Sequence, residues 1–283
     1  MRSFPRSAQC GAGGKLGQSK TAGDDLVDAL RGVSTATLTT LMFKQNLRNV
    51  WLRGTRPLQP GQARVAGRAF TMRFIPARED LATPAAWSSP ISTRTAVEAM
   101  PPGCIAVIAS AGCTDAGVYG DILCARMRQR GVAALVTDGV VRDAEGIAAT
   151  GLPIWAQGVA APPAVTGMTF VNWQEPIGCG GVAIYPDDLI VADGDGAIVV
   201  PQALAAALVP PALEQEHLEA WILAEVLGGA ALSGLYPPDA ESLARYRRSA
   251  EAAPQQLGPE REQPREEDPA EQRPGHSSPN DAA

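Results

Sequence analysis

CIAVIASAGCTDAGVYGDILCARMRQRGVAALVTDGVVRD, residues 104–143, is the stretch whose reading decides the fold. It opens on a short apolar run, 104–110, of the kind that forms a strand buried on both faces. ILCARMRQR at 122–130 has the spacing of an amphipathic helix, and Gly131 ends it. AALVT at 133–137 is the next buried strand. If the two strands are parallel, a helix of about nine residues returns over about 13 Å and a strand of about five climbs about 16 Å. The lengths nearly cancel. Loops 111–120 and 138–142 then both arrive at the carboxyl end of the strands, where open α/β sheets place their ligands.

Working outward, the pattern stays α/β. Residues 24–44 read as helix, broken near Val33 and Ser34, and 65–74 as a strand. A short helix is expected over 143–150, with Asp143 or a neighbour as N-cap. Strands follow at 153–156, 181–185, 189–192 and 197–200, the last three joined by Pro-Asp-Asp and Gly-Asp-Gly turns. Pro201 can open a helix at its first position, and 213–227 is a longer one.

Both ends differ from this body. Residues 1–22 are rich in Gly, Ser, Lys and Arg and hold no acid; with no apolar core segment they are read as a disordered tail rather than a secretory signal. Residues 250–283 are rich in Pro, Glu, Gln and Arg, and are likewise expected to be disordered. One domain is therefore expected over 23–249. The net charge is −6, and from Glu251 onward the chain has eight acids and three bases, so residues 1–250 together carry about −1. That argues against a nucleic-acid footprint, which needs a clustered basic face. No apolar run reaches membrane-spanning length, so no membrane partner is expected. The five cysteines form no CxxC pair, and free thiols in a reducing, cytoplasmic setting are the simplest reading. Only His217 and His276 are present, which steers any metal site toward oxygen ligands and hence Mg²⁺ or Mn²⁺.

The two loops carry complementary chemistry. Gly120-Asp121-Ile122-Leu123 stands at a helix start, where free N–H groups and the positive end of the helix dipole suit a substrate carboxylate. Arg142 offers a fixed cation with a planar fork. Asp143 offers a hard oxygen ligand for a cation that keeps several waters. Arg-Asp pairs are common, however, and from spacing alone Asp143 could simply cap a helix. Asp115 and Asp138 can be turn formers, as can Asp193 and Asp195. Glu214, Glu216 and Glu219 suit a solvated helical face, and Trp155 and Trp173 suit a core or interface.

Gly120-Asp121-Ile122-Leu123, followed by Thr137-Asp138-Gly139-Val140-Val141-Arg142-Asp143, resembles the RraA-like family. Gly151-Leu152-Pro153-Ile154, Gly180-Gly181-Val182, the run 186–193 and the run 195–201 extend the resemblance, which covers about 25–246. The family includes class II 4-hydroxy-4-methyl-2-oxoglutarate aldolases that also decarboxylate oxaloacetate. The resemblance implies a compact α/β/β sandwich of the swivelling-domain type, assembled as a homotrimer or dimer of trimers with sites at subunit interfaces. It implies that Gly120, Asp121, Ile122 and Leu123 bind substrate through backbone amides. It also implies that Arg142 contacts the substrate oxygen and that Asp143 ligates Mg²⁺ or Mn²⁺. Family members that inhibit ribonuclease E lack that aspartate, so Asp143 implies a metal-dependent lyase acting on a small 2-oxo acid. The alternatives are a non-catalytic regulator of an RNA-processing enzyme and an enolate enzyme acting on sugar-derived 2-oxo acids. This chain departs from the family at Thr39-Thr40-Leu41-Met42, and loop 74–93, with Arg78-Glu79-Asp80-Leu81, is also unusual.

Overall fold

A computed structural model describes residues 22–252. In chain order the elements are α1 (Ala22–Leu30), α2 (Thr35–Lys44), β1 (Trp51–Leu52), β2 (Arg56–Pro57), β3 (Val65–Pro76), α3 (Thr93–Ala99), β4 (Ile105–Ala109), α4 (Asp121–Gln129), β5 (Ala134–Thr137) and β6 (Val140–Val141). Then come α5 (Ala144–Thr150), β7 (Ile154–Ala156), β8 (Gly158–Val159), β9 (Met168–Trp173), β10 (Ile177–Cys179), β11 (Val182–Ile184), β12 (Leu189–Asp193), β13 (Gly196–Val200), α6 (Gln202–Leu227) and α7 (Ala240–Ala252).

The main sheet runs β1-β13-β12-β3-β4-β5-β7-β2, with β9 also paired to β3. β3 is its hinge. It pairs antiparallel with β12 at its start, parallel with β4 through Ala69–Arg73, and antiparallel with β9 at its end. β4 and β5 are parallel, in the register Ile105↔Ala134 to Ile108↔Thr137. Both strands are buried throughout, as their unbroken apolar runs require.

Strand alternation divides the apolar residues between two cores. Phe70, Met72, Ala106, Ile108 and Leu135 join Val97, Met127 and Ile147 of α3, α4 and α5 on one face. Ala69, Ile105, Val107, Ala134 and Val136 join Leu38, Met42, Ile177, Ile184 and Val191 on the other. The result is a helical layer, a sheet and a further mixed layer with the β10–β11 hairpin.

The helix read over 24–44 breaks near Val33 and Ser34 as expected, and Ser34 caps the second piece through its side chain, which accepts from Thr37 N at 3.0 Å. Other expectations are adjusted. The late helix is one piece from Gln202 and runs through Pro210 and Pro211. Pro201 therefore precedes the helix. Two prolines remove two helical hydrogen bonds, but Leu208, Val209 and Ala212 around them are buried, and that burial offsets the loss. The chain divides into two compact units, one ending at Glu225 and one beginning at Val226, where a single domain was expected over 23–249. Gly228, Gly229 and Gly234, with Pro237 and Pro238, interrupt the chain between α6 and α7. α7 runs to Ala252, so 250–252 are helical rather than part of a tail. The remainder of both expected tails, and Cys10, lie outside the described residues. No helix among the described residues is long and apolar enough to cross a membrane.

Candidate functional site

The loops after β4 and β5 are zipped together. Gly117 bridges Val140, Val118 N donates to Val140 O at 2.8 Å, and Arg142 N donates to Tyr119 O at 2.9 Å. This close approach demands glycine at 117, because a Cβ there would lie 2.7 Å from both Arg142 N and its Cβ. Beneath the loops, Asp138 accepts from Ser110 N at 2.8 Å, Ser110 Oγ at 2.9 Å and Gly180 N at 3.1 Å. Asp138 is thus buried framework that ties distant segments together, where a local turn former was the alternative reading.

The zipped loops bring Gly120–Leu123 and Arg142–Asp143 into one cavity of about 340 Å³, a size in the usual range for small-molecule sites. Gly120 is the N-cap of α4 and provides no side-chain cap, so the first-turn amides have no intrahelical acceptor. Asp121 Oδ1 accepts from Ile122 N at 2.7 Å. An incoming carboxylate therefore competes with that oxygen for the Ile122 amide.

Asp143 occupies the N-cap position of α5 with φ 57° and ψ 49°, yet its side chain makes no capping hydrogen bond. The simple helix-cap reading is therefore corrected. A non-glycine residue in this left-handed region is strained, although Asp and Asn tolerate it better than most. The conformation frees the carboxylate from α5. It lies instead against Gly120, where an added Cβ would meet Oδ2. Arg142 Nε approaches Asp143 Oδ2 at 3.1 Å, and the two side chains are 35% and 42% exposed. The approach is not aligned as a hydrogen bond, and Arg142 Nε is a buried donor without a partner. An unpaired buried donor is costly, and the ion-pair contact with Asp143 offsets part of that cost. Burial pushes the Cys124 thiol up to about 12, with the nearby carboxylates of Asp121 and Asp143 adding to the rise.

Among the described residues no group of three or more His, Cys, Asp and Glu side chains could hold a metal together. Asp143 is a single hard oxygen donor, not occupied in capping. That donor set fits Mg²⁺ or Mn²⁺, which keep most of their waters, better than a closed cysteine and histidine cage.

The structure adds residues that motif reading passed over. Leu81, Trp87, Ile91 and Arg94, from the unusual 74–93 loop and the start of α3, line the same cavity, as do Met168 and Phe170 of β9. The odd composition of that loop was their only signal. Other candidates lie elsewhere. Asp193 is buried, accepting from Thr35 N at 2.9 Å and Thr35 Oγ1 at 2.7 Å. Glu216 binds Ser34 N at 2.7 Å and Ser34 Oγ at 2.6 Å. Trp155 is core, its indole donating to Asp193 O at 2.7 Å. His217 is on α6 and outside the cavity lining.

Residues 24–199 match the RraA-like family profile, Aldolase/RraA. A protein of Halalkalibacterium halodurans named "Putative 4-hydroxy-4-methyl-2-oxoglutarate aldolase" is 40% identical over 106 residues, 37% of this chain and 49% of that protein. Protein DlpA of Legionella pneumophila is 30% identical over 146 residues, 52% of this chain and 23% of its own length. The chain thus spans half or less of the length of these two relatives. The solved structure of Streptomyces coelicolor RraAS2, described as an unusual member of the RNase ES inhibitor RraA protein family, is similar with a TM-score of 0.63 and 33% identity. That match covers 70% of this chain and 94% of RraAS2. An uncharacterized protein from Pseudomonas syringae pv. tomato is similar with a TM-score of 0.65 and 27% identity, covering 75% of this chain and 96% of its own.

Proposed function

Because this chain belongs to the RraA-like family, we propose that it is a divalent-metal-dependent carbon–carbon lyase that cleaves 4-hydroxy-2-oxo acids to pyruvate and decarboxylates oxaloacetate. The observation that carries this reading is the Arg142 guanidinium, ion-paired at 3.1 Å with a carboxylate released from helix capping, in one cavity with an open helix N-terminus.

Each group has a part in the chemistry. The amides of the Gly120–Leu123 turn hold the C1 carboxylate of the substrate. The Arg142 guanidinium faces the C2 oxygen and stabilises charge as it develops there, an interaction worth several kcal/mol, roughly 3–4, in a water-poor site. Asp143 would hold Mg²⁺ or Mn²⁺. When bound there, such a cation supplies Lewis-acid stabilisation of the same oxygen. Retro-aldol cleavage and β-decarboxylation both leave an enolate of pyruvate, so one arrangement serves both reactions. We further propose a homotrimer or dimer of trimers.

A second reading, a non-catalytic regulator of an RNA-processing enzyme, is supported by the similarity to RraAS2 along nearly all of that chain. The discriminating experiment is pyruvate release from oxaloacetate and from 4-hydroxy-2-oxo acids, with Mg²⁺ or Mn²⁺ and with EDTA. Metal-dependent release supports the lyase. No release from any substrate, with binding to an RNA-processing enzyme, would replace it with the regulator.

A further inference from the structure

The cavity that holds Arg142 and Asp143 also has an apolar wall, formed by Phe74, Leu81, Trp87, Ile91, Met168 and Phe170. Phe74 and Phe170 meet edge to face, with ring centroids 5.2 Å apart, an arrangement aromatic rings favour. Besides Arg142, the lining contains one cation, Arg94. It is already engaged: its guanidinium lies 5.4 Å from the centroid of the Trp87 ring, and its Nη1 donates to Trp87 O at 3.1 Å. A second carboxylate on the substrate would exchange water for this wall with little compensation. An aryl or branched alkyl group would gain from the same wall by leaving water.

Resting on the lyase reading above, we infer that the substrate carries an apolar substituent at C4 in place of a second carboxylate. The reaction is balanced without a co-reactant. The C4 hydroxyl gives its proton to solvent, the C3–C4 bond breaks, and C4 becomes the carbonyl carbon of an apolar aldehyde or ketone. The bonding pair passes to the three-carbon enolate, whose C3 takes one proton from solvent to give pyruvate. The unusual loop 74–93, which supplies Leu81, Trp87 and Ile91 to the wall, is therefore the one that selects the substituent.

Binding tests this apart from turnover. With the full chain and Mg²⁺, calorimetry compares 2-oxo-4-phenylbutanoate with 2-oxoglutarate, neither of which has the C4 hydroxyl needed for cleavage. The phenyl compound is expected to bind tighter by roughly tenfold or more, the scale on which apolar pockets discriminate. Trp87→Ala should narrow that preference. Equal or tighter binding of 2-oxoglutarate, or a preference untouched by Trp87→Ala, overturns the inference. Pyruvate release is then compared for 4-hydroxy-2-oxo-4-phenylbutanoate and 4-hydroxy-2-oxoglutarate. Faster release from the phenyl compound supports the inference. Release that favours the dicarboxylate overturns it and leaves the lyase standing; no release from either overturns both.

Discussion

Asp143 has two properties that pull against each other. Its backbone is left-handed and strained, and its side chain does nothing for the helix it precedes. Strain of this kind persists where the surroundings impose it, and it clusters at functional sites. Asparagine tolerates the same backbone and has the same size, so Asp143→Asn is expected to fold normally while losing the charge that would hold a cation. If that cation supplies about 4 kcal/mol of enolate stabilisation, oxaloacetate decarboxylation should fall roughly a thousandfold. The assay compares both proteins with and without EDTA, with circular dichroism as the folding control; equal, EDTA-insensitive rates would end the metal-lyase reading. Gly120 gives an independent check. Gly120→Ala places a methyl group where Asp143 Oδ2 now lies, so the carboxylate must move. A displacement of about 1 Å in a catalytic group costs on the order of a hundredfold in rate. Retained activity in this variant would show that the position of Asp143 does not matter.

Helices and strands differ in how far the sequence announces them. β4 and β5 are apolar runs between turn residues, and the parallel pairing on which the convergence of their loops depends is the pairing observed. The meeting of Gly120 with Arg142 and Asp143 follows from that pairing, so the motif half of the site was legible. Its apolar wall was not. It is assembled from a loop after β3 and from β9, two segments far apart in sequence that meet only because β9 pairs with the end of β3. Glu216 was equally hidden: nothing local says that a late helical acid reaches the start of α2. Burial pushes its carboxyl up, but hydrogen bonds from Ser34 and Thr37 and the Ser34 amide outweigh that, and the net direction is down. A lowered folded-state value means stability that is present above the ordinary glutamate range and lost as pH falls through the folded-state value. Glu216→Gln keeps an acceptor for Ser34 but cannot titrate. At neutral pH the variant should be less stable by about 1 kcal/mol, the difference between a charged and a neutral acceptor, and the gap should close in acid. Urea denaturation at about pH 7 and about pH 3 measures it; a gap unchanged between the two would mean that Glu216 is not the titrating partner of α2.

For the whole molecule, the question is what covers its exposed apolar surface. Ile122, inside the Gly120–Leu123 turn, is 79% exposed, and Phe43 and Trp51 flank a second groove at 57% and 45%. Single exposed apolar residues are ordinary, but grouped ones mark surfaces that meet something else. Charge opposes self-association only modestly. Residues beyond Ala250 carry −5 and residues 1–22 carry +4, which leaves −5 on residues 23–250, a charge that salt screens between copies. Closed rotational symmetry lets one pair of complementary patches satisfy every subunit. Light scattering at micromolar concentration is therefore expected to give three or six times the chain mass. Charge placed on the groove, as in Phe43→Asp, should lower that number, because an unpaired carboxylate buried in an interface is strongly unfavourable. If sites are completed by neighbouring subunits, the variant should lose activity in step with its assembly, although Phe43 is outside the cavity lined by Arg142 and Asp143. A wild-type monomer at these concentrations would overturn the assembly. A Phe43→Asp monomer with full activity would show instead that each chain carries a complete site.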